Sequence, residues 1–263
     1  MLFRSFTPYS YAYFIFILPH SIITVSVITA LLPKISRLAH ENQGEKVKSD
    51  LVDSLRHVAV ATAPSTFLFI FFGTSIASLL YAGTSNADSR QIGLVLAAFA
   101  VGLIPFSTMP LLLRGFYAYE DTKTPVVINL VSTSVMILLA VVAENFINFQ
   151  KVTMALAIIL GISNFIGTVL CIALLQRRVG SFPKVKLILT HIKLLALSLV
   201  AIAPSYLLHL LVKKVVGETW ISNGIALVIG GLLFLIIYVF GGKIARVEEI
   251  TTLYRQIRTR TRR

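Results

Sequence analysis

Asp, Glu, Lys and Arg are absent from seven long apolar runs of this chain, 9–32, 58–81, 92–113, 126–143, 152–175, 194–212 and 220–240. A helix rises 1.5 Å per residue, so about 20 apolar residues cross the roughly 30 Å of hydrocarbon in a membrane. The runs meet or approach that length. Within lipid the backbone has to satisfy its own hydrogen bonds, which leaves helices or a closed barrel. Barrel strands would alternate in character over about ten residues, and no segment here does. The pattern therefore predicts an all-α, polytopic membrane protein of about seven transmembrane helices, over 9–32, 58–81, 91–117, 125–147, 152–175, 190–212 and 220–240.

Two further segments carry a helical pattern of a different kind. Val47, Leu51, Leu55 and Val58 recur at helical spacing among charged residues, which predicts a short amphipathic helix over 42–57 lying at a membrane surface. Residues 241–263 form a basic tail in which Ile250, Leu253, Tyr254 and Ile257 repeat the pattern more weakly. The whole of 1–263 reads as a single transmembrane domain, because the connections 82–90, 148–151 and 213–219 are too brief for a folded domain outside the membrane.

Composition agrees with this picture: 56% of the 263 residues are hydrophobic and 13% charged, with a mean hydropathy of +0.85. Charge adds an orientation. The segments 34–56, 114–123, 177–193 and 243–263 hold 19 of the 24 Lys and Arg residues, all in alternate connections. Positive residues stay on the cytoplasmic side, so the amino terminus is expected outside and the carboxyl terminus inside. The same distribution accounts for the +13 net charge as topology signals and contacts to anionic lipid, and no nucleic-acid partner is expected. The first run is too long for a signal peptide and lacks a cleavage site. An amino terminus outside without such a signal implies helices upstream of this sequence.

Catalytic and metal-binding patterns are missing. The histidines are scattered, and the sequence has no H-E-x-x-H pair, no G-x-S-x-G elbow and no phosphate loop. Cys171 is the single cysteine, so neither a disulfide nor a metal cluster is available from thiols. No carboxylate lies inside a run, Glu144 at a helix end coming nearest, so no intramembrane proton or cation relay is visible. The expectation is a protein that is not an enzyme and carries no cofactor.

Two features inside the runs invite a binding role. His20 follows Pro19 near the middle of the first run, with Ser21 and Thr24 close to it around the helix. Proline frees a carbonyl and bends a helix, so His20 and Thr24 are candidates to line a wet cavity; hydrogen bonds to a neighbouring helix would explain them equally well. The third helix holds Pro105 and Pro110, which should distort it, and then Arg114. Guanidinium stays charged and binds oxyanions bidentately, which suits a diphosphate, whereas snorkelling to the membrane surface is the plainer role. Downstream, Asp121 and Pro125 have the chemistry to cap and start the next helix.

The segments Thr29-Ala-Leu-Leu-Pro-Lys-Ile-Ser-Arg37 and Leu113-Arg-Gly-Phe-Tyr-Ala-Tyr-Glu-Asp-Thr-Lys-Thr-Pro125 resemble the MurJ/MviN lipid II flippases. That family belongs to the superfamily of multidrug, oligosaccharidyl-lipid and polysaccharide exporters. The resemblance covers about half of such a transporter, corresponding to the eighth through fourteenth of about fourteen helices: most of the second lobe and the final helix pair. It implies transport of a lipid-linked oligosaccharide diphosphate, lipid II, across the bacterial cytoplasmic membrane for cell-wall synthesis, with membrane lipids and a separate N-terminal half of the transporter as partners. His20, Thr24 and Arg114 become cavity candidates, and Glu120, Asp121 and Lys123 become candidate gating contacts between lobes. The alternatives are a polysaccharide-lipid or drug/cation exporter of the same superfamily, a non-transporting remnant or scaffold, and a seven-helix receptor. A retinal receptor is disfavoured because the seventh run has no lysine.

Overall fold

Proline, glycine and the phase of the apolar face decide where these helices run straight and where they break. The computed structural model describes residues 2–148, 151–217 and 219–244. Among them are nine α-helices: α1 (Leu2–Pro19), α2 (Val25–His40), α3 (Gly44–Leu80), α4 (Asn86–Ala100), α5 (Leu103–Tyr117), α6 (Lys123–Phe146), α7 (Val152–Val179), α8 (Lys184–Val216) and α9 (Trp220–Ile244). Six helical spans are long and apolar enough to cross a membrane, and the bent pair α4 and α5 makes a seventh. The chain is a multi-pass membrane protein. Most of the expected basic tail, from residue 245 onward, lies outside the described residues.

Three connections differ from the sequence expectation. The helix expected over 42–57 and the span expected over 58–81 form one helix, α3. Val47, Leu51, Leu55 and Val58 are all buried, so the amphipathic face continues in phase with the packed face of the span. Neither Gly nor Pro interrupts the junction.

The segment expected over 91–117 is broken instead, with α4 and α5 meeting at 47°. The break falls at Val101 and Gly102, ahead of both prolines. Pro105 lies in the first turn of α5, where its missing N–H costs nothing, and α5 runs on through Pro110. Between α1 and α2, residues His20–Thr24 form a π-helical turn in which the Val25 N–H reaches the His20 carbonyl. Pro19, at the end of α1, removes one donor from the regular ladder just where the wider turn begins.

Packing divides the bundle into three cores. At the end holding the basic connections, Ile35, Leu51, Leu112, Phe116 and Leu175 join α2, α3, α5 and α7. Toward the other end Phe16, Leu96 and Phe99 join α1 and α4, with Phe16 and Phe99 stacked at 5.0 Å. Beside α3, Phe72, Ile202 and Phe234 attach the α8–α9 pair, and Tyr238 donates a hydrogen bond to the Val60 carbonyl at 2.8 Å. By contrast, α6 rests mainly on α7 and exposes Val126, Leu130, Ile137 and Leu138. Such a surface fits lipid or a neighbouring lobe.

Candidate functional site

His20 lies in the π turn with its ring edge-on to Phe106 of α5, the centroids 4.9 Å apart. Thr24, one turn on, is fully buried, while Ser21 is exposed, so the wider turn separates two residues that a regular helix would bring close. The His20 Nδ1 and Thr24 Oγ1 atoms are buried without hydrogen-bond partners. An unsatisfied buried polar atom costs about 1–3 kcal/mol, and most such groups are met by water or a ligand. Among the described residues, no neighbouring helix supplies a hydrogen bond to either atom. Beside this segment a groove of about 610 Å3 runs between α2 and α3, and the Lys34–Asp50 ion pair at 2.7 Å is part of its lining.

Arg114 occupies the last turn of α5. Its guanidinium carbon lies 5.4 Å from the centre of the Tyr117 ring, and its Nε is buried without a hydrogen-bond partner. No carboxylate pairs with it among the described residues. A partly buried guanidinium stacked on one face and unneutralised is suited to an incoming oxyanion. Arg114 follows Phe106 by eight residues, about 12 Å along α5 and about 80° around it. The fold thus mounts His20 and Arg114 against one helix at different depths, and it does not bring them into a single contact.

The turn 118–122 joins α5 to α6 and holds the other three candidates. Glu120 has a φ of 57°; its N–H bonds to the Tyr117 carbonyl and that of Asp121 to the Phe116 carbonyl. This is the left-handed closure that ends many helices, at a position where glycine is usual. Glu120→Gly is therefore expected to leave the turn intact and to raise stability by up to about 1 kcal/mol, since the left-handed conformation is costly for a side chain. Thermal unfolding of the purified chain in detergent measures this.

Asp121 faces inward. It accepts from the Thr124 N–H at 3.0 Å, the Thr124 hydroxyl at 2.8 Å and the Arg178 guanidinium of α7 at 2.8 Å. These partners, the Thr124 N–H foremost, hold its carboxyl below the ordinary carboxylate range. Because the folded pKa is depressed, the contribution to stability is complete at neutral pH and is lost only as pH falls through the lowered value. Arg178 also lies 5.9 Å from the Tyr119 ring centre, so the turn is pinned to the end of α7.

Charge reversal at Asp121 alone should lower the folded fraction, and Asp121→Arg combined with Arg178→Asp should recover part of it through the restored pair. Thermal unfolding of the single and double variants checks the coupling. Glu120 and Lys123 are exposed, with no ion pair to either among the described residues. Sequence spacing did not reveal the Asp121–Arg178 pair, whose members are 57 residues apart. The same holds for the buried Ser75–His209 contact between α3 and α8 at 3.1 Å.

A family model described as Lipid II flippase MurJ matches residues 3–229. The chain belongs to that family. The curated Lipid II flippase MurJ of Burkholderia cenocepacia is 33% identical over 112 residues, 41% of this chain and 21% of the relative. The Probable lipid II flippase MurJ of Borreliella burgdorferi is 23% identical over 199 residues, 75% of this chain and 38% of the relative. Among solved structures, one described as Lipid II flippase MurJ in its inward closed conformation has the same fold. It superposes with a TM-score of 0.62 at 22% identity, covering 92% of this chain and 48% of that one. The chain thus spans about half of that family structure, and the matched parts of the two relatives are smaller shares still.

Proposed function

We propose that the chain forms the carboxyl-terminal part of a transporter that flips lipid II, a lipid-linked oligosaccharide diphosphate, across the bacterial cytoplasmic membrane for peptidoglycan synthesis. The family match over residues 3–229 carries this reading, because flipping a bulky polar head needs two lobes around a cavity and no covalent chemistry. The orientation in this proposal has the carboxyl terminus in the cytoplasm. The gathering of 19 of the 24 basic residues into alternate connections of the sequence supports it.

In this mechanism Arg114 grips the diphosphate by charge-assisted hydrogen bonds. His20 and Thr24 supply polar atoms deeper in the cavity, where their lack of internal partners leaves them available. Glu120 and Lys123 meet the opposing lobe as the cavity closes toward the cytoplasm, and Asp121 holds their turn in place. The polyprenyl tail stays in lipid along the aliphatic surfaces of α8 and α9, on which Leu199, Leu207, Val228 and Leu232 are exposed. An amino-terminal half, outside this sequence, completes the cavity in this proposal.

Complementation tests the proposal in cells depleted of their own lipid II flippase. The chain is expressed alone and beside the amino-terminal half of a family member, with membrane abundance measured in each. Rescue that requires both halves is the expected result. No rescue by either combination, with normal insertion, rejects the transport reading.

A further inference from the structure

At the end of the bundle opposite Arg114, a cavity of about 450 Å3 opens among α3, α4, α8 and α9. Its polar lining includes Ser75, Ser89, Arg90, His209, Lys213 and Asn223, and no carboxylate is among the described lining residues. Outside the four basic segments the sequence holds five Lys and Arg residues, Arg4, Arg90, Lys151, Lys213 and Lys214. Two of those five converge on one cavity, although 123 positions separate them in the chain.

The cavity floor is built for polar contact. His209 is 3% exposed and Asn223 5%. The first shares a hydrogen bond with Ser75 at 3.1 Å, and the second donates to the Ser78 hydroxyl at 3.2 Å. The Asn223 Oδ1 atom is left buried without a partner. Amide oxygen and nitrogen exchange places on a flip; in the flipped form Ser78 donates to Oδ1 and the amide N–H donors take the unpartnered position. At the rim, Asn86 and Ala87 belong to the first turn of α4, whose dipole favours negative charge. The adjacent acid, Asp88, is bonded to the Ser85 hydroxyl at 2.7 Å. Arg90 is exposed and makes no ion pair among the described residues.

We propose that this cavity binds a phosphate group, carried by a lipid headgroup in the adjoining leaflet or free in solution. Arg90 and Lys213 supply the charge, and the α4 amino terminus and Asn223 supply the donors. Its volume lies within the usual range for small-ligand pockets. Leu210 lines the same cavity, and Leu207 and Leu211 are exposed beside it on α8, a surface on which an acyl chain can rest while its phosphate enters. The proposal concerns binding at this end of the bundle and does not depend on transport.

The test uses the full chain purified in detergent, with dioctanoyl phosphatidic acid, inorganic phosphate and dioctanoylglycerol as probes. Bound mass is read by native mass spectrometry and stability by thermal unfolding. Phosphatidic acid is expected to add one retained adduct and raise the unfolding temperature, whereas dioctanoylglycerol does neither. The Arg90→Gln/Lys213→Gln variant should weaken binding at least about tenfold, the loss expected when charged hydrogen-bond donors are removed. The charge-matched Lys151→Gln/Lys214→Gln variant should leave it unchanged. Binding of inorganic phosphate with the same dependence on Arg90 and Lys213 supports the free-anion source; binding of phosphatidic acid alone supports the lipid source. No binding of either phosphate probe, or equal loss in the two variants, overturns the proposal. Because Arg90 lies at the surface, Arg90→Gln alone provides a reading should the double variant fold poorly.

Discussion

Gly161→Leu is expected to abolish most of the monodisperse protein recovered from membranes. Gly161 of α7 crosses the α4–α5 break at Gly102, and a Cβ built on Gly161 would lie 2.8 Å from the Gly102 Cα. The reverse substitution fares no better, since a Cβ on Gly102 would lie 2.5 Å from the Gly161 Cα. Backbone faces backbone here, so no flexible side chain can yield. Overpacking a well-filled core costs about 1–3 kcal/mol when side chains absorb the strain, and separating two helices forfeits their packing as well. Gly231→Leu is the control, because a Cβ there meets nothing within 4 Å and should leave recovery unchanged. Size-exclusion profiles of the two variants decide the matter, and a normal profile for Gly161→Leu would contradict the close approach.

Arg114→Ala is expected to remove most transport in the two-half complementation while leaving membrane abundance unchanged. Hydrogen bonds to charged groups contribute about 1.5–3 kcal/mol, and tenfold in affinity is about 1.4 kcal/mol. Loss of the guanidinium should thus weaken diphosphate binding by about ten- to a hundredfold. Abundance should hold because Arg114 makes no ion pair with a carboxylate among the described residues, so its removal strands no buried charge. Arg114→Lys should rescue only in part, since a point charge lacks the planar fork. Equal transport by Arg114→Ala and the unsubstituted chain would reduce Arg114 to a residue that snorkels to the membrane surface.

The legibility of the structure varied with the range of the forces involved. The transmembrane spans were readable because lipid demands a long apolar helix wherever the chain crosses, and that demand is written locally. The Asp121 cap was readable for the same reason: its partner Thr124 is three residues away. Helix continuity was not. Whether the face of Val47, Leu51 and Leu55 lay on a membrane surface or inside the bundle depended on α2, α5 and α7, which bury it.

The bend in the third span was expected at its prolines and occurs at Gly102, where α7 passes close enough to exclude a side chain. Among the site candidates, His20, Thr24 and Arg114 were chosen for their chemistry, and the fold leaves one polar atom of each buried without a partner. Glu120 and Asp121 prove to be joined to the turn itself, one by its backbone and one by its side chain.

By itself the sequence determined the class of the molecule, the presence of six to seven helices apolar enough to span a membrane, the segregation of its basic residues and its family resemblance. Each is a matter of local composition or contiguous motif. Only the tertiary structure decided the π turn at His20, the α4–α5 break, the Asp121–Arg178 pair and the cavity that gathers Arg90 with Lys213. The last three arise where helices distant in the chain meet, and apolar periodicity specifies that a face is buried without specifying which face it meets.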